Sequence, residues 1–140
     1  EIDFFIVPVV SGSVEQKESL KTIQALATIG IPKEKIRVVF NKVSESVAEE
    51  FMSFISSAAK YATLNKNAYV EESELFDLMN NGKTTIGSVL ADETDYRMLV
   101  RQTPKDNEAE INRLSNLHTM KSMAKPLNRR LDACFEALFK

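Results

Sequence analysis

The feature that most constrains this chain is its first ten residues, where Ile2-Asp3-Phe4-Phe5-Ile6-Val7-Pro8-Val9-Val10 runs apolar with almost no interruption. A strand with one wet face alternates apolar and polar side chains. A run without alternation predicts a strand covered on both faces, as in the middle of a parallel sheet. Ser11-Gly12-Ser13 breaks the run. Ser13 with Gln16 three residues later then forms a capping-box pattern for a helix that carries Leu20, Ile23, Leu26 and Ala27 inward, and Gly30 and Pro32 stop it. Ile36-Arg37-Val38-Val39-Phe40-Asn41 reads as a second strand, reached through a charged turn at 32–35. Strand, helix, strand is a βαβ unit, and such a crossover makes the two strands parallel. Burial is therefore expected for Phe4, Ile6, Val38, Val39 and Phe40.

Ser46 and Glu49 offer another capping box, followed by Val47, Phe51, Phe54, Ile55, Ala58 and Ala62 at helical spacing. Asn67-Ala68-Tyr69-Val70 is a weaker third strand. Ser73 caps a short helix through Leu75, Phe76 and Leu78 that ends near Asn80-Asn81-Gly82. Ile86, Val89 and Leu90 suggest one more short helix, and residues 92–102 read as charged and irregular. After Pro104 a long helical stretch places Ile111, Leu114, His118, Ala124, Leu127, Leu131, Cys134 and Leu138 close to one face, with Pro126 expected to kink or split it. This change of character divides the chain into an α/β part, 1–92, and a helical C-terminal extension, 93–140.

The 44% apolar content of the 140 residues is enough for a real core. With 18 basic and 20 acidic residues the net charge is -2, which gives no overall footprint for nonspecific nucleic-acid binding. DNA contact would need a local patch. The one basic cluster, Lys121, Lys125, Arg129 and Arg130, is diluted by Asp132 and Glu136 and reads as a solvated helix face. Cys134 is the only cysteine, so no intrachain disulfide forms, and its apolar neighbours suit a core thiol in a reducing cytoplasm. The longest apolar run is strand-sized, so no membrane span is expected. The chain opens Glu1-Ile2-Asp3 directly on a strand pattern, so a cut chain is expected, with one side of the first strand exposed or paired to a segment outside this sequence.

In open parallel sheets ligands bind beyond the carboxyl ends of the strands, which singles out residues 10–13, 41–44 and 70–73. Asn41 stands at such an end. Its carboxamide could donate to and accept from the edge of adenine, or could simply terminate the strand and cap the next turn. His118 has no Cys or acidic partner at metal-ligand spacing and reads as a core-edge or solvated imidazole. No glycine-rich phosphate loop is present. Gly82-Lys83-Thr84 lacks a Gly five residues earlier and follows a helix rather than a buried strand, so phosphate cradle, loop Lys and Mg²⁺ ligand are absent from the sequence. The chain by itself is therefore expected to show no ATPase turnover.

The two strand patterns, Asp3-Phe4-Phe5-Ile6-Val7-Pro8-Val9-Val10 and Ile36-Arg37-Val38-Val39-Phe40-Asn41-Lys42-Val43, resemble the second half of ParA/MinD-family P-loop ATPases. A later family pattern is similar to Tyr69-Val70-Glu71-Glu72-Ser73 on to Gly82 and Asp92. The resemblance covers about residues 2–92 and is nearest to plasmid stability proteins of the StbB type. It implies the C-terminal part of a doubly wound, mainly parallel P-loop NTPase-like sheet with a helical C-terminal extension. Asn41 falls where the family contacts adenine, and Lys42, Val70 and Glu71 fall at the same nucleotide-binding edge. By resemblance the parent protein is an ATP-dependent switch, with Mg²⁺, a homodimer and a role in plasmid stability, partition or conjugative transfer. Guanine recognition would require Asp where Ser44 stands, which favours adenine. The alternative is a noncatalytic α/β interaction module that presents the amphipathic C-terminal helix to a partner protein.

Overall fold

A computed structural model describes residues 2–140. These residues form two compact units, 2–72 with Arg130–Lys140 and Ser73–Arg129. The division does not fall at residue 92, where the sequence changes character.

The first unit is built on three parallel strands in the order β1-β2-β3: β1 (Phe5–Val9), β2 (Ile36–Val43) and β3 (Tyr69–Glu71). Val7 faces Val38 and Val9 faces Phe40 across the first pair, as the βαβ pattern predicts. Helices α1 (Ser13–Thr28), α2 (Val47–Glu50) and α3 (Met52–Ala58) connect the strands. They pack on one face of the sheet, where Ile23, Val38, Phe40, Phe51 and Phe54 are buried together. The Phe40 ring lies 5.0 Å from Phe51 and meets Phe54 edge-on at 6.3 Å. Val39 and Val70, on the other face, pack against Cys134, Ala137 and Leu138 at the end of helix α7 (Glu108–Leu138).

β1 departs from expectation. Val7 and Val9 are buried, but Phe4 is 38% exposed and Ile6 47% exposed, so the strand is covered on one face and lies at the edge of the sheet; β2 is the central strand. The reason is the reach of the second layer. The end of α7 covers Val39 and Val70 and touches the first strand's segment through a ring contact of Phe139 with Phe4. Val39 is accordingly half-buried rather than buried.

The capping chemistry is mostly as read. Ser46 Oγ accepts from the Glu49 amide and Ser73 Oγ from the Leu75 amide. At α1 the cap is Gly12, not Ser13. Gln16 instead donates through Nε2 to the carbonyls of Ser11 (2.7 Å) and Glu50 (3.1 Å), which ties the helix start to α2. Gly30, with φ 94°, closes α1: its amide bonds to Ala27 and that of Ile31 to Leu26, the left-handed helix stop that glycine adopts without strain. The single helix expected after Ser46 is two, because Phe51 leaves helical geometry (φ −124°) as its ring enters the core.

The second unit contains α4 (Glu74–Asn81), α5 (Ile86–Ala91), α6 (Tyr96–Gln102) and the first part of α7. Residues 92–102 are not irregular throughout: Asp95 accepts from the Met98 amide at 3.1 Å and starts α6. Nor does Pro126 split α7, which is one helix of 31 residues. The proline's missing amide removes one bond of the ladder, while Ala124 and Leu127 beside it are buried and hold both sides in place. Among the described residues no helix is long and apolar enough to cross a membrane.

Candidate functional site

The carboxyl ends of β2 and β3 form the candidate edge. Phe40 is opposite Tyr69 and Val43 opposite Glu71, so three steps along β2 match two along β3 and the ladder contains a bulge. Lys42 absorbs the extra residue with φ 53°, a left-handed conformation unusual for a side chain of this kind. Its amide donates to Asn41 Oδ1 at 3.0 Å. The Asn41 carboxamide therefore braces the bulge, while its two N–H donors and the second lone pair of Oδ1 have no partner among the described residues.

The bulge also distributes the four residues singled out in the sequence. Alternation puts Asn41 on the face of Val39, and Val70 packs on that same face against the end of α7. Glu71 shares the opposite face with Val43, and Lys42 is the bulged residue between them. The sheet edge thus brings all four together along the backbone, but not into one pocket.

Glu71 lines a hollow of about 420 Å³ with Val43, Ser44, Ser46, Lys66 and Tyr69. The loop leaving β2 forms its rim. The Ser44 amide donates to both carboxylate oxygens of Glu50 at 3.1 Å, the Ser44 hydroxyl donates to Glu72 at 3.3 Å, and the Glu72 amide returns to the Val43 carbonyl at 3.1 Å. Glu50 thereby occupies the backbone amides of Ser44 and Glu45. Tyr69 is held from outside by Arg130, whose guanidinium lies 3.9 Å from the ring centroid and donates to the Asn67 carbonyl at 2.5 Å. Lys66, Tyr69 and Arg130 were not legible as site residues. Tyr69 stands in the sequence only as part of a strand pattern, Arg130 only in a diluted basic cluster and Lys66 in no pattern, and it is the fold that places Lys66 and Tyr69 at the hollow.

A second hollow of about 420 Å³ lies at the other candidate strand end, lined by Ser11, Ser13, Gln16 and Lys17 of the α1 start and by Met52, Ser53 and Ser57. Gly82-Lys83-Thr84 serves a different purpose from a phosphate loop. Lys83 takes φ 50°, and the amides of Lys83 and Thr84 bond back to Asn80 and Met79, so the segment closes the carboxyl end of α4.

In the helical unit His118 lines a hollow of about 260 Å³ with Thr94, Asp95, Tyr96 and Lys121. Asp92, just before these residues in the chain, has its carboxyl lowered to about 2, chiefly by hydrogen bonds from Thr94 and the Tyr96 hydroxyl, and the Asp92 contact raises the Tyr96 phenol. No set of three or more His, Cys, Asp or Glu residues suited to a metal ion occurs among the described residues. The basic cluster is dispersed: Lys121 donates to the Thr94 carbonyl at 2.6 Å and Arg130 is committed to Tyr69 and Asn67, which leaves Lys125 and Arg129 exposed. Cys134 is buried, and burial pushes its thiol up, away from reactive thiolate.

The chain matches no protein-family model, no curated protein and no solved structure.

Proposed function

We propose that the carboxyl edge of β2 and β3 is the base-binding edge of a nucleotide-dependent switch protein of the ParA/MinD kind, with adenine at Asn41. The observation that carries this is the bulge at Asn41 and Lys42. It sits at the carboxyl end of the central strand of a parallel sheet, where such sheets bind ligands, and leaves the Asn41 amide with donors and an acceptor to offer. Lys42, Val70 and Glu71 flank it along the same edge. Ser44 supplies no carboxylate for the guanine edge. In a parent protein, Mg²⁺-ATP would be held by a phosphate loop outside this sequence and would drive homodimerisation or partner binding in plasmid stability, partition or conjugative transfer. This chain alone carries no such loop and is not expected to turn over ATP.

The interaction-module reading is favoured by a different observation. Phe135 on α7 is 65% exposed and contacts Phe139, which in turn contacts Phe4, so three aromatic rings run across the surface of the first unit.

Titrating the 140-residue chain with adenosine and with guanosine, followed by backbone amide resonances, distinguishes the two. The nucleotide reading expects residues 41–45 and 69–73 to shift with adenosine more than with guanosine. Equal or absent shifts would reject it.

A further inference from the structure

We infer that Asn81-Gly82, at the carboxyl end of α4, is a site of spontaneous deamidation, and that the helix stop built around it sets the pace of the modification. The chemistry is intramolecular. The Gly82 amide nitrogen attacks the carbonyl carbon of the Asn81 side chain, the new C–N bond closes a succinimide ring, and the bond to the side-chain nitrogen breaks. That nitrogen leaves as ammonia, taking with it the proton given up by the Gly82 amide. Water then opens the ring at either carbonyl and yields aspartate or isoaspartate. Glycine after asparagine favours the attack because no Cβ crowds the nitrogen, and Asn81-Gly82 is the one such pair in the chain. Asn81 is exposed, and its carboxamide makes no hydrogen bond among the described residues. Glycine is also suited to the position, since a Cβ there would meet the Leu78 carbonyl oxygen at 3.2 Å.

The attacking nitrogen is engaged in the fold. The Gly82 amide donates to the Leu78 carbonyl at 2.9 Å, and the amides of Lys83 and Thr84 close the stop onto Asn80 and Met79 at 3.2 and 3.0 Å. Ring closure therefore waits for this last turn to open. The turn is strained, because the residue in the left-handed conformation is Lys83, with φ 50°, while Gly82 beside it takes φ −79°. A lysine pays a steric cost there that glycine would not, and helix ends open at small expense in any case. Either product loosens the stop further. Aspartate sets a negative charge against the carbonyls at the carboxyl end of α4, and isoaspartate inserts a backbone methylene between residues 81 and 82, which shifts the three amides away from their acceptors.

The test follows deamidation of the 140-residue chain at mildly alkaline pH by peptide mass mapping, with isoaspartate measured by enzymatic carboxyl methylation. Wild type, Lys83→Gly and Gly82→Ala are compared in buffer and in denaturing urea. Asn81 should be the asparagine modified fastest in buffer, with isoaspartate among the products. Lys83→Gly relieves the strain and holds the stop closed, so it should slow the reaction about fivefold in buffer and leave it unchanged in urea. Gly82→Ala should slow it in urea, where no stop exists and only crowding at the nitrogen counts. Another asparagine modified faster in buffer, or an Asn81 that stays intact there, would overturn the site. Equal rates for wild type and Lys83→Gly in buffer, or equal rates for wild type in buffer and in urea, would overturn the control by the helix stop. Lys83 is exposed, and the circular dichroism of Lys83→Gly verifies its fold alongside.

Discussion

The guanidinium of Arg130 stacks 3.9 Å from the centroid of the Tyr69 ring and donates to the carbonyl of Asn67, a residue 63 positions earlier in the chain. A charge placed over a π face with a charge-assisted hydrogen bond beside it is an anchor, and here it ties the last part of α7 to β3. Its Nε is buried without a partner, a cost that the other two contacts offset. Replacing Arg130 with Ala should lower stability by about 1 to 3 kcal/mol. Arg130→Lys should recover only part of that, since an ammonium has neither the planar stack nor the fork. Urea unfolding of the three proteins measures both effects, and a neutral Arg130→Ala would show that the anchor is idle.

Pro126 is exposed inside an unbroken helix, where it forfeits one backbone hydrogen bond and crowds the preceding turn. Pro126→Ala should therefore raise stability, by up to about 3 kcal/mol. Thermal unfolding checks the sign. A lower midpoint would mean that the proline's fixed geometry is required by α7.

Asp92 carries a testable pH signature. Its carboxyl sits at about 2 in the fold against an ordinary 3.8, held down first by the Thr94 side chain and then by the Tyr96 hydroxyl. A group depressed by folding adds stability above its unfolded value, and that stability is lost as pH falls through the folded one. The midpoint difference between wild type and Asp92→Asn should thus be full at neutral pH, shrink below about pH 4 and vanish near pH 2. Tyr96→Phe should move the Asp92 titration upward, which carboxyl resonances report directly. A difference that persists unchanged to pH 2 would contradict the assignment.

The sequence made the parallel pairing of β1 and β2 legible because Val7, Val9, Val38 and Phe40 lie in apolar runs joined by a helix of crossover length. It overstated the cover on β1, since a run of apolar residues does not say how far the opposite layer extends; Ile6 is left exposed where that layer stops. α6 was hidden because its cap, Asp95, stands in a charged run that masks the helical spacing after it. At the candidate edge, the place of Asn41 near the end of β2 was legible. The bulge at Lys42 was not, because no glycine marks its left-handed turn, and without the bulge the separation of Asn41 from Glu71 onto two faces does not follow. Lys66, Tyr69 and Arg130 depend on register and on tertiary contacts 63 residues apart, which local patterns do not encode.

The central claim is that Asn41 reads adenine, and the affinity of Asn41→Ala against wild type is its most direct measurement. Calorimetric titration of both proteins with adenosine and guanosine should show adenosine binding weakened by about 1 to 3 kcal/mol in the variant, with discrimination against guanosine lost and the fold retained. Unchanged adenosine affinity in a folded Asn41→Ala protein would contradict the claim.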